Sequence, residues 1–151
     1  MHEAQNSQAA DQPSLGVLLF IPYRHLEQRI LQAVVAAGHH ITLPQARVFQ
    51  RIDPAGSRLT RIAESAQVSK QAAKFLIDQL ERAGYLERVP DPTDGRARVV
   101  RITTLGRNVI QVATEEQARV EAEWAAHLGR SASDRLRRAL IQLREITDPY
   151  R

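Results

Sequence analysis

The chain has 151 residues, a formal net charge of +4 and no cysteine, and 43% of its residues are hydrophobic and 25% charged. These values predict an ordinary globular protein, and the lack of cysteine excludes disulfides, thiolate zinc sites and thiol-based redox sensing. No apolar run reaches the roughly 20 residues of a membrane-spanning helix, and residues 1–13 resemble a disordered tail rather than a signal peptide. We therefore expect a cytoplasmic protein with no membrane partner.

The positive charge is concentrated in the middle of the chain. Residues 58–107 hold ten basic and six acidic residues, whereas residues 1–57 and 108–151 each balance to zero. A localised basic excess is typical of a protein that binds nucleic acid. On its own, it is explained equally well by a solvated surface.

Helical periodicity predicts four helices in the first part of the chain. The first contains Pro22, which we expect to kink or locally break it. Ser69 is placed to cap the fourth, which has an apolar inner face at helical spacing and ends before Gly84. The predicted helices cover 14–37, the stretch from Thr42 to 53–56, about 58–65, and 70–82, and the inner face of the fourth consists of Ala73, Leu76, Ile77 and Leu80.

Two strands, a long helix and a final helix follow. The strands form a predicted β-hairpin, because the turn signal Asp94-Gly95 separates them. The whole is a mainly α fold with a small β-hairpin. The predicted bounds are 85–89 and 97–102 for the strands, Thr103 or Thr104 to about Leu128 for the long helix, and a start at Ser131 or Ser133 for the last one.

The third and fourth predicted helices form a helix-turn-helix over about residues 59–82. The second helix of this motif enters the DNA major groove with its N-terminal residues foremost. Lys70, Gln71 and Lys74 come first on the outer face of that helix, and the acidic residues come later. Gln71 is suited to base recognition, because an amide pairs bidentately with adenine. For this helix alone, a solvated face is the competing interpretation.

The basic hairpin that follows turns the motif into a winged helix. Arg96, at the predicted tip, is the candidate for the minor groove, whose negative potential attracts arginine. Arg98 shares the strand parity of Arg96 and is predicted to contact phosphate, whereas Arg101 is predicted to meet carboxylates of its own protein. Asp94 either forms the turn with Gly95 or pairs with an arginine and holds the tip in one shape.

Residues 69–107 resemble the recognition helix and wing of the MarR family of bacterial transcriptional regulators. The specific part is LERAGYLERVPDPTDGRARVVRITTLG, with its helix end, glycine, strand, Asp-x-Arg wing and threonine-started helix. The sequence departs from common helix-turn-helix turns at Gln67, where glycine often stands, which puts the pitch of the fourth helix in doubt. The resemblance implies that the wing pair is Asp94 and Arg96 and that the recognition-helix contacts are Ser69, Lys70, Gln71 and Lys74.

The terminal helices are predicted to form a dimerisation region. Their apolar stripes hold more apolar surface than one small core needs, and pairing with a second copy would bury it. An ordinary bundle within one chain is the alternative. We assign residues 39–103 to the winged helix-turn-helix and residues 14–38 and 104–151 to dimerisation. The family resemblance implies a homodimer on a palindromic operator.

The resemblance also implies a small lipophilic or anionic effector that binds between the dimer arms and the winged helix. That region would draw on Tyr23, His25, Arg47 and Trp124, although these residues form no recognisable ligand signature. The adjacent histidines at 39 and 40 point in different directions on a helix and have no carboxylate cluster beside them. We expect them to be structural or solvated, with no metal bound.

We predict a sequence-specific regulator of transcription that binds double-stranded DNA as a homodimer and acts as a ligand-responsive repressor. The alternative is a non-specific architectural DNA-binding protein, and only Gln71 argues against it. A third hypothesis is an interaction module whose winged helix binds protein. We predict no enzyme and no cofactor, because the sequence shows no nucleophile–base pair, phosphate-binding loop or metal cluster at usable spacing.

Overall fold

The computed structural model of the protein describes residues 12–148. Residues 1–11, most of the predicted tail, and residues 149–151 lie outside the described residues. The predicted order of helices and strands is confirmed. No helix within the described part is long and apolar enough to cross a membrane. The elements are α1 (Leu15–Ala36), α2 (Leu43–Phe49), α3 (Leu59–Ala66), α4 (Lys70–Arg82), β1 (Leu86–Asp91), β2 (Asp94–Ile102), α5 (Thr104–Leu128) and α6 (Arg130–Thr147).

The hydrophobic core lies where α1 to α5 meet the hairpin. The predicted inner face of α4 is confirmed, because Ala73, Ile77 and Leu80 are buried there and Leu76 packs partly buried against the same cluster. Helix α6 contributes no buried residue and packs along α5. Helices α1 and α5 therefore share one core with the winged-helix region, and only α6 lies outside it.

Helix α1 is held against α5 by a cluster of charged side chains. Arg29 Nε donates to Glu116 Oε1 at 2.9 Å, and both Nη atoms of Arg29 donate to the Glu123 carboxylate at 3.0 Å. Arg119 Nε donates to the other Glu116 oxygen at 2.7 Å, and Arg119 and then Arg29 lower the pKa of that carboxyl. These ion pairs therefore join α1 to α5 directly, outside the winged helix.

Two helix features differ from the predictions. Pro22 does not break α1, which runs through it as one 22-residue helix. A proline removes one backbone N–H, and the neighbouring turns keep their hydrogen bonds. Helix α6 starts at Arg130, directly after Gly129 with φ of 80°, rather than at Ser131 or Ser133. The chain reverses at that glycine, so no serine cap is needed.

The turn of the hairpin lies two residues earlier than predicted. Residues Pro92 and Thr93 connect the strands, and Gly95 lies inside β2. Asp91 causes this shift, because its Oδ1 accepts both the Thr93 backbone N–H and the Thr93 hydroxyl at 2.8 Å. The strand pairing then jumps from Pro90–Arg98 to Asp91–Asp94, so that residues 95–97 form a bulge on β2.

Candidate nucleic-acid interface

Helix α4 presents its first turns to solvent. Lys70, Gln71 and Lys74 are exposed on the face opposite the core. Ser69 Oγ accepts the Ala72 backbone N–H at 3.0 Å and so caps the helix as predicted. A helix N-terminus carries free N–H groups and partial positive charge, which favour a phosphate. The predicted recognition residues are therefore together on one accessible surface.

The acidic end of α4 is neutralised by neighbouring cations. Arg88 of β1 places Nη2 2.6 Å from Asp78 Oδ1 and also pairs with Glu81. Lys74 Nζ lies 2.6 Å from the other Asp78 oxygen, and Lys74 and then Arg88 lower the pKa of Asp78. Lys74 is therefore bound within its own helix, which the sequence analysis did not foresee. The repulsion that Asp78 and Glu81 would exert on DNA is reduced.

The wing arginines divide into two groups. Within residues 12–148, neither Arg96 nor Arg98 has an ion pair, and both are exposed. Arg101 Nη2 lies 2.8 Å from Glu87 Oε1 on the paired strand. The prediction that Arg101 meets a carboxylate of its own protein is confirmed. Arg96, in the bulge, and Arg98, next to it, are exposed, and their guanidiniums are available to a polyanion.

Asp94 is not one of the two turn residues; instead, its side chain stabilises the backbone of the bulge. Its Oδ1 accepts the Arg96 backbone N–H at 3.1 Å, and its Oδ2 lies 3.9 Å from Arg58 Nη2. The alternative of pairing with an arginine therefore has a partner in Arg58, at the limit of ion-pair distance. The carboxylate fixes the backbone from which the Arg96 side chain projects.

Arg58 is a site residue that the sequence analysis did not single out. Its Nε and Nη2 lie 2.8 and 2.6 Å from Asp91 Oδ2. The hydrogen bonds from Thr93 and then the Arg58 guanidinium lower the pKa of Asp91 to about 2. Arg58 belongs to the basic excess of the middle third, but its partner lies 33 residues away, and no local pattern indicates the pair.

A short backbone pairing fixes the wing to the helix-turn-helix beside that ion pair. The Ser57 N–H donates to the Val100 carbonyl at 2.9 Å, and the Val100 N–H donates back at 2.8 Å. Ser57 is the residue directly before Arg58, which forms the ion pair with Asp91. Because both contacts join the same two segments, the wing and α3 are held in one relative orientation.

The turn of the helix-turn-helix keeps its usual geometry without glycine. Gln67 adopts the left-handed conformation, with φ of 58° and ψ of 40°, and ends α3. Its side-chain Nε2 donates to the Glu64 carbonyl at 3.3 Å. A side chain in this region carries some strain that glycine avoids. The departure at Gln67 thus leaves the turn intact and places α4 directly after it.

A cavity of about 480 Å³ lies between α1, α2 and α5, where the arms meet the winged helix. Tyr23 lines it, as predicted, whereas Arg47 is outside its lining and is bound bidentately to Glu27 at 3.0 and 3.1 Å. Trp124 is not in its lining and instead lines an apolar groove between α1, α5 and α6, which shares Tyr23 and Leu26 with the cavity. His25 lines neither space. Helix register alone does not show which of two adjacent spaces a side chain enters.

A polar bridge between Tyr23, Glu27 and Arg47 lies in the wall of this cavity. Arg47 lowers the pKa of Glu27, and the Tyr23 hydroxyl donates to Glu27 Oε1 at 3.0 Å. Burial, followed by that hydrogen bond, raises the pKa of Tyr23. The remaining lining is largely aliphatic, with Gln50, Thr114 and Gln117 as polar exceptions. A mostly apolar ligand with few polar groups matches this chemistry.

The two adjacent histidines belong to the joint between α1 and α2. His39 Nδ1 lies 3.4 Å from the Tyr85 hydroxyl, and the His40 backbone N–H donates to the same oxygen at 3.2 Å. Residues 12–148 contain no group of three or more His, Cys, Asp or Glu side chains able to hold a metal ion. The Tyr85 hydroxyl therefore ties this joint to the start of β1.

A helix-turn-helix with an exposed recognition helix and a basic hairpin fixed beside it defines the winged helix-turn-helix class. Residues 39–97 match the sequence model of the MarR family. The winged-helix region of the chain is therefore similar to the MarR family of transcriptional regulators. The resemblance seen in the sequence is thus confirmed.

Individual relatives agree with this assignment. BadR of Rhodopseudomonas palustris, described as a transcriptional activatory protein, is 32% identical over 93 residues, which are 62% of this chain and 52% of BadR. The matched part therefore spans about half the length of that curated relative. The transcriptional regulator Tm0710 of Thermotoga maritima superimposes with a TM-score of 0.63 at 25% identity, covering 88% of this chain and 93% of Tm0710.

A further relative has been solved with two kinds of partner. The repressor CouR of Rhodococcus jostii superimposes with a TM-score of 0.67 at 26% identity, covering 86% of this chain and 92% of CouR, in a complex with a 23-mer DNA duplex. CouR has also been solved with p-coumaroyl-CoA.

Proposed function

We propose that this protein is a sequence-specific DNA-binding regulator of transcription, located in the cytoplasm. The observation that carries the proposal is that the exposed start of α4 and the exposed wing both hold cations without an internal ion pair. Within the described residues, Lys70 of α4 and Arg96 and Arg98 of the wing have no ion pair, whereas Arg58, Arg88 and Arg101 do. Exposed cations of this kind are suited to a backbone of phosphates.

The roles of the proposed readers follow from their positions. Gln71 reads a base edge in the major groove, because it lies on the exposed first turns of α4. Lys70 and Lys74 contact phosphate. To do so, Lys74 breaks its ion pair with Asp78. Arg96 enters the minor groove, with Arg98 on the adjoining phosphates.

The proposed unit is a homodimer. Large apolar side chains are exposed along both terminal arms, including Phe20 at 55%, Leu136 at 46% and Ile141 at 57%. So many exposed large apolar side chains are unusual on a monomer, and a two-fold partner would cover them. A two-fold dimer presents two recognition helices to half-sites one DNA turn apart, which supports a palindromic operator.

The cavity between the arms and the winged helix is the proposed effector site. The complex of CouR with p-coumaroyl-CoA supports a ligand-responsive role for this chain, with a lipophilic or anionic molecule as the effector. A ligand in the cavity would separate α1 from α2 and so change the spacing of the two recognition helices. We propose a repressor that releases DNA on binding its effector; the description of BadR as activatory favours the opposite direction.

Selection of bound fragments from genomic DNA, followed by affinity measurement, tests the proposal. A regulator enriches one palindromic motif and binds it at least about 1,000-fold more tightly than random DNA. An architectural protein gives equal affinity for both, with the same steep fall of affinity as salt rises. If the chain binds neither the motif nor random DNA measurably at low salt, the proposal is overturned in favour of a protein-interaction module.

A further inference from the structure

One aromatic side chain on the recognition helix has no structural explanation. Phe75 is 59% exposed, whereas its neighbours Ala73 and Ile77 are fully buried. The other strongly exposed apolar residues lie mainly on α1 and α6, where a second copy would cover them. Phe75 lies on α4, well apart in sequence from both arms. Exposure of a phenyl ring forgoes the free energy that its burial would contribute, so a contact outside the chain is the natural explanation.

Helix geometry places Phe75 on the proposed DNA-reading face. Residues four apart on a helix share a face, about one turn or 5.4 Å apart along the axis. Phe75 is four residues after Gln71 and next to Lys74, and all three are exposed. The core side of the helix lies opposite, at Ile77 and Leu80. The ring therefore follows the proposed base reader along the same groove-facing surface.

We propose that Phe75 contacts the C5-methyl group of a thymine in the major groove and so selects the base at that position. The proposal rests on the proposed function, since it concerns the same interface. The thymine methyl is the distinctive apolar group at the base edges of this groove, and phenylalanine is among the side chains that contact it. An exposed ring one turn after a base-reading amide and next to a phosphate-binding lysine matches that target in both polarity and position.

The expected position of that thymine follows from the helix rise. One helical turn of about 5.4 Å corresponds to about one or two base-pair steps of B-DNA. The thymine read by Phe75 therefore lies within about two base pairs of the base read by Gln71. Each half-site of a two-fold operator then holds one such thymine.

Single replacements of thymine by deoxyuridine in the selected operator test this contact, because each removes one methyl group and nothing else. For the wild-type chain, we expect one replacement per half-site to weaken binding about three- to five-fold. Phe75→Ala binds the intact operator more weakly and no longer distinguishes thymine from uracil there. Phe75→Leu retains part of the distinction. Gln71→Ala is the control variant, which loses affinity but keeps the same thymine preference.

The outcomes separate this inference from the proposed function. Specific binding by the wild-type chain with no sensitivity to any thymine replacement overturns the contact and leaves the regulator assignment standing. Sensitivity that persists in Phe75→Ala also overturns it. Equal affinity for all DNA overturns both. Thermal unfolding of the Phe75 variants checks their folding, and an exposed position is expected to leave the melting temperature nearly unchanged.

Discussion

Arg58 and Asp91 join the helix-turn-helix to the wing, with Nη2 of the arginine 2.6 Å from Oδ2 of the aspartate. Arg58 stands at the start of α3, and Asp91 ends the first strand of the wing. The pair lies beside the bulge from which Arg96 projects. The position of the proposed minor-groove residue relative to α4 therefore depends on a contact that involves neither DNA-facing side chain.

Asp91→Asn removes the charge of this pair and keeps an oxygen that accepts the Thr93 hydrogen bonds. We expect lower stability at neutral pH and weaker operator binding, although every proposed reader is present. The pKa of Asp91 is about 2 in the folded chain against 3.8 as the ordinary value. Its carboxylate therefore stabilises the fold above about pH 4, and this contribution is lost as the pH falls toward 2.

Urea unfolding of the wild-type chain and Asp91→Asn at several pH values checks this prediction. The difference between their free energies of unfolding is expected to be constant from pH 7 to about 5 and to shrink between pH 4 and 2. A difference that stays the same down to pH 2 would show that the charge of Asp91 does not stabilise the wing.

Arg96 and Arg101 offer a matched comparison on one strand, because each alanine substitution removes one guanidinium from β2. Arg96 is without an ion pair among the described residues, whereas Arg101 binds Glu87 at 2.8 Å. We expect Arg96→Ala to lower operator affinity about ten-fold and to reduce the salt slope by about one. Arg101→Ala should change affinity by less than about two-fold. Equal losses in fluorescence-anisotropy titrations would show that only total charge matters.

The local features of this fold could be predicted from the sequence. The inner face of α4 and the cap at Ser69 follow from the helical repeat and from the preference of serine for helix starts. Both depend on residues within one or two turns of each other, where the chain itself sets the distance. Phe75 falls outside that inner face, so its exposure could also be predicted.

The features that could not be predicted from the sequence depend on contacts between distant segments or on two local sequence patterns that compete. The Asp94-Gly95 signal predicted the turn, but the side chain of Asp91 binds Thr93 and closes the turn earlier. Arg58 finds its partner 33 residues further along the chain. Trp124 occupies the groove beside α6 because the packing of three helices, rather than periodicity, decides which space it faces.

Charged substitutions on α6 test the proposed dimer. Leu136 and Leu140 are 46% and 41% exposed in the single chain, and both line the apolar groove against α1 and α5. A glutamate at both positions should leave the winged helix folded, because α6 contributes no residue to its core, and should prevent association through the cost of burying charge. Operator affinity is expected to fall with the loss of the second half-site.

Sedimentation velocity measures the mass of the double variant at micromolar concentration. Leu105→Glu is the control, since Leu105 is similarly exposed at 39% but lies in the first turn of α5, outside the apolar groove. We expect a dimer for the control and a monomer for the Leu136 and Leu140 variant. A wild-type chain that is itself monomeric, or a double variant that remains dimeric, would contradict the proposed interface.

Gly106 permits the close approach of α5 to the strand entry at Tyr85. A Cβ at Gly106 would lie 2.4 Å from the Tyr85 carbonyl oxygen and 2.7 Å from Ile102 Cγ2. That carbonyl also accepts the Thr103 backbone N–H at 3.2 Å, so it cannot retreat without loss of a hydrogen bond. We expect Gly106→Ala to reduce the free energy of unfolding by about 1–3 kcal/mol, as overpacking of a core does.

Gly95→Ala is the matched control for this substitution. A Cβ at Gly95 would meet no atom within 4 Å, and Gly95 is not among the residues with positive φ. Thermal and urea unfolding should therefore show a clear loss of stability for Gly106→Ala and almost none for Gly95→Ala. Equal stability of the two variants would mean that α5 can shift away from β1 at little cost. The arms would then be less firmly attached to the winged helix than the close contact at Gly106 indicates.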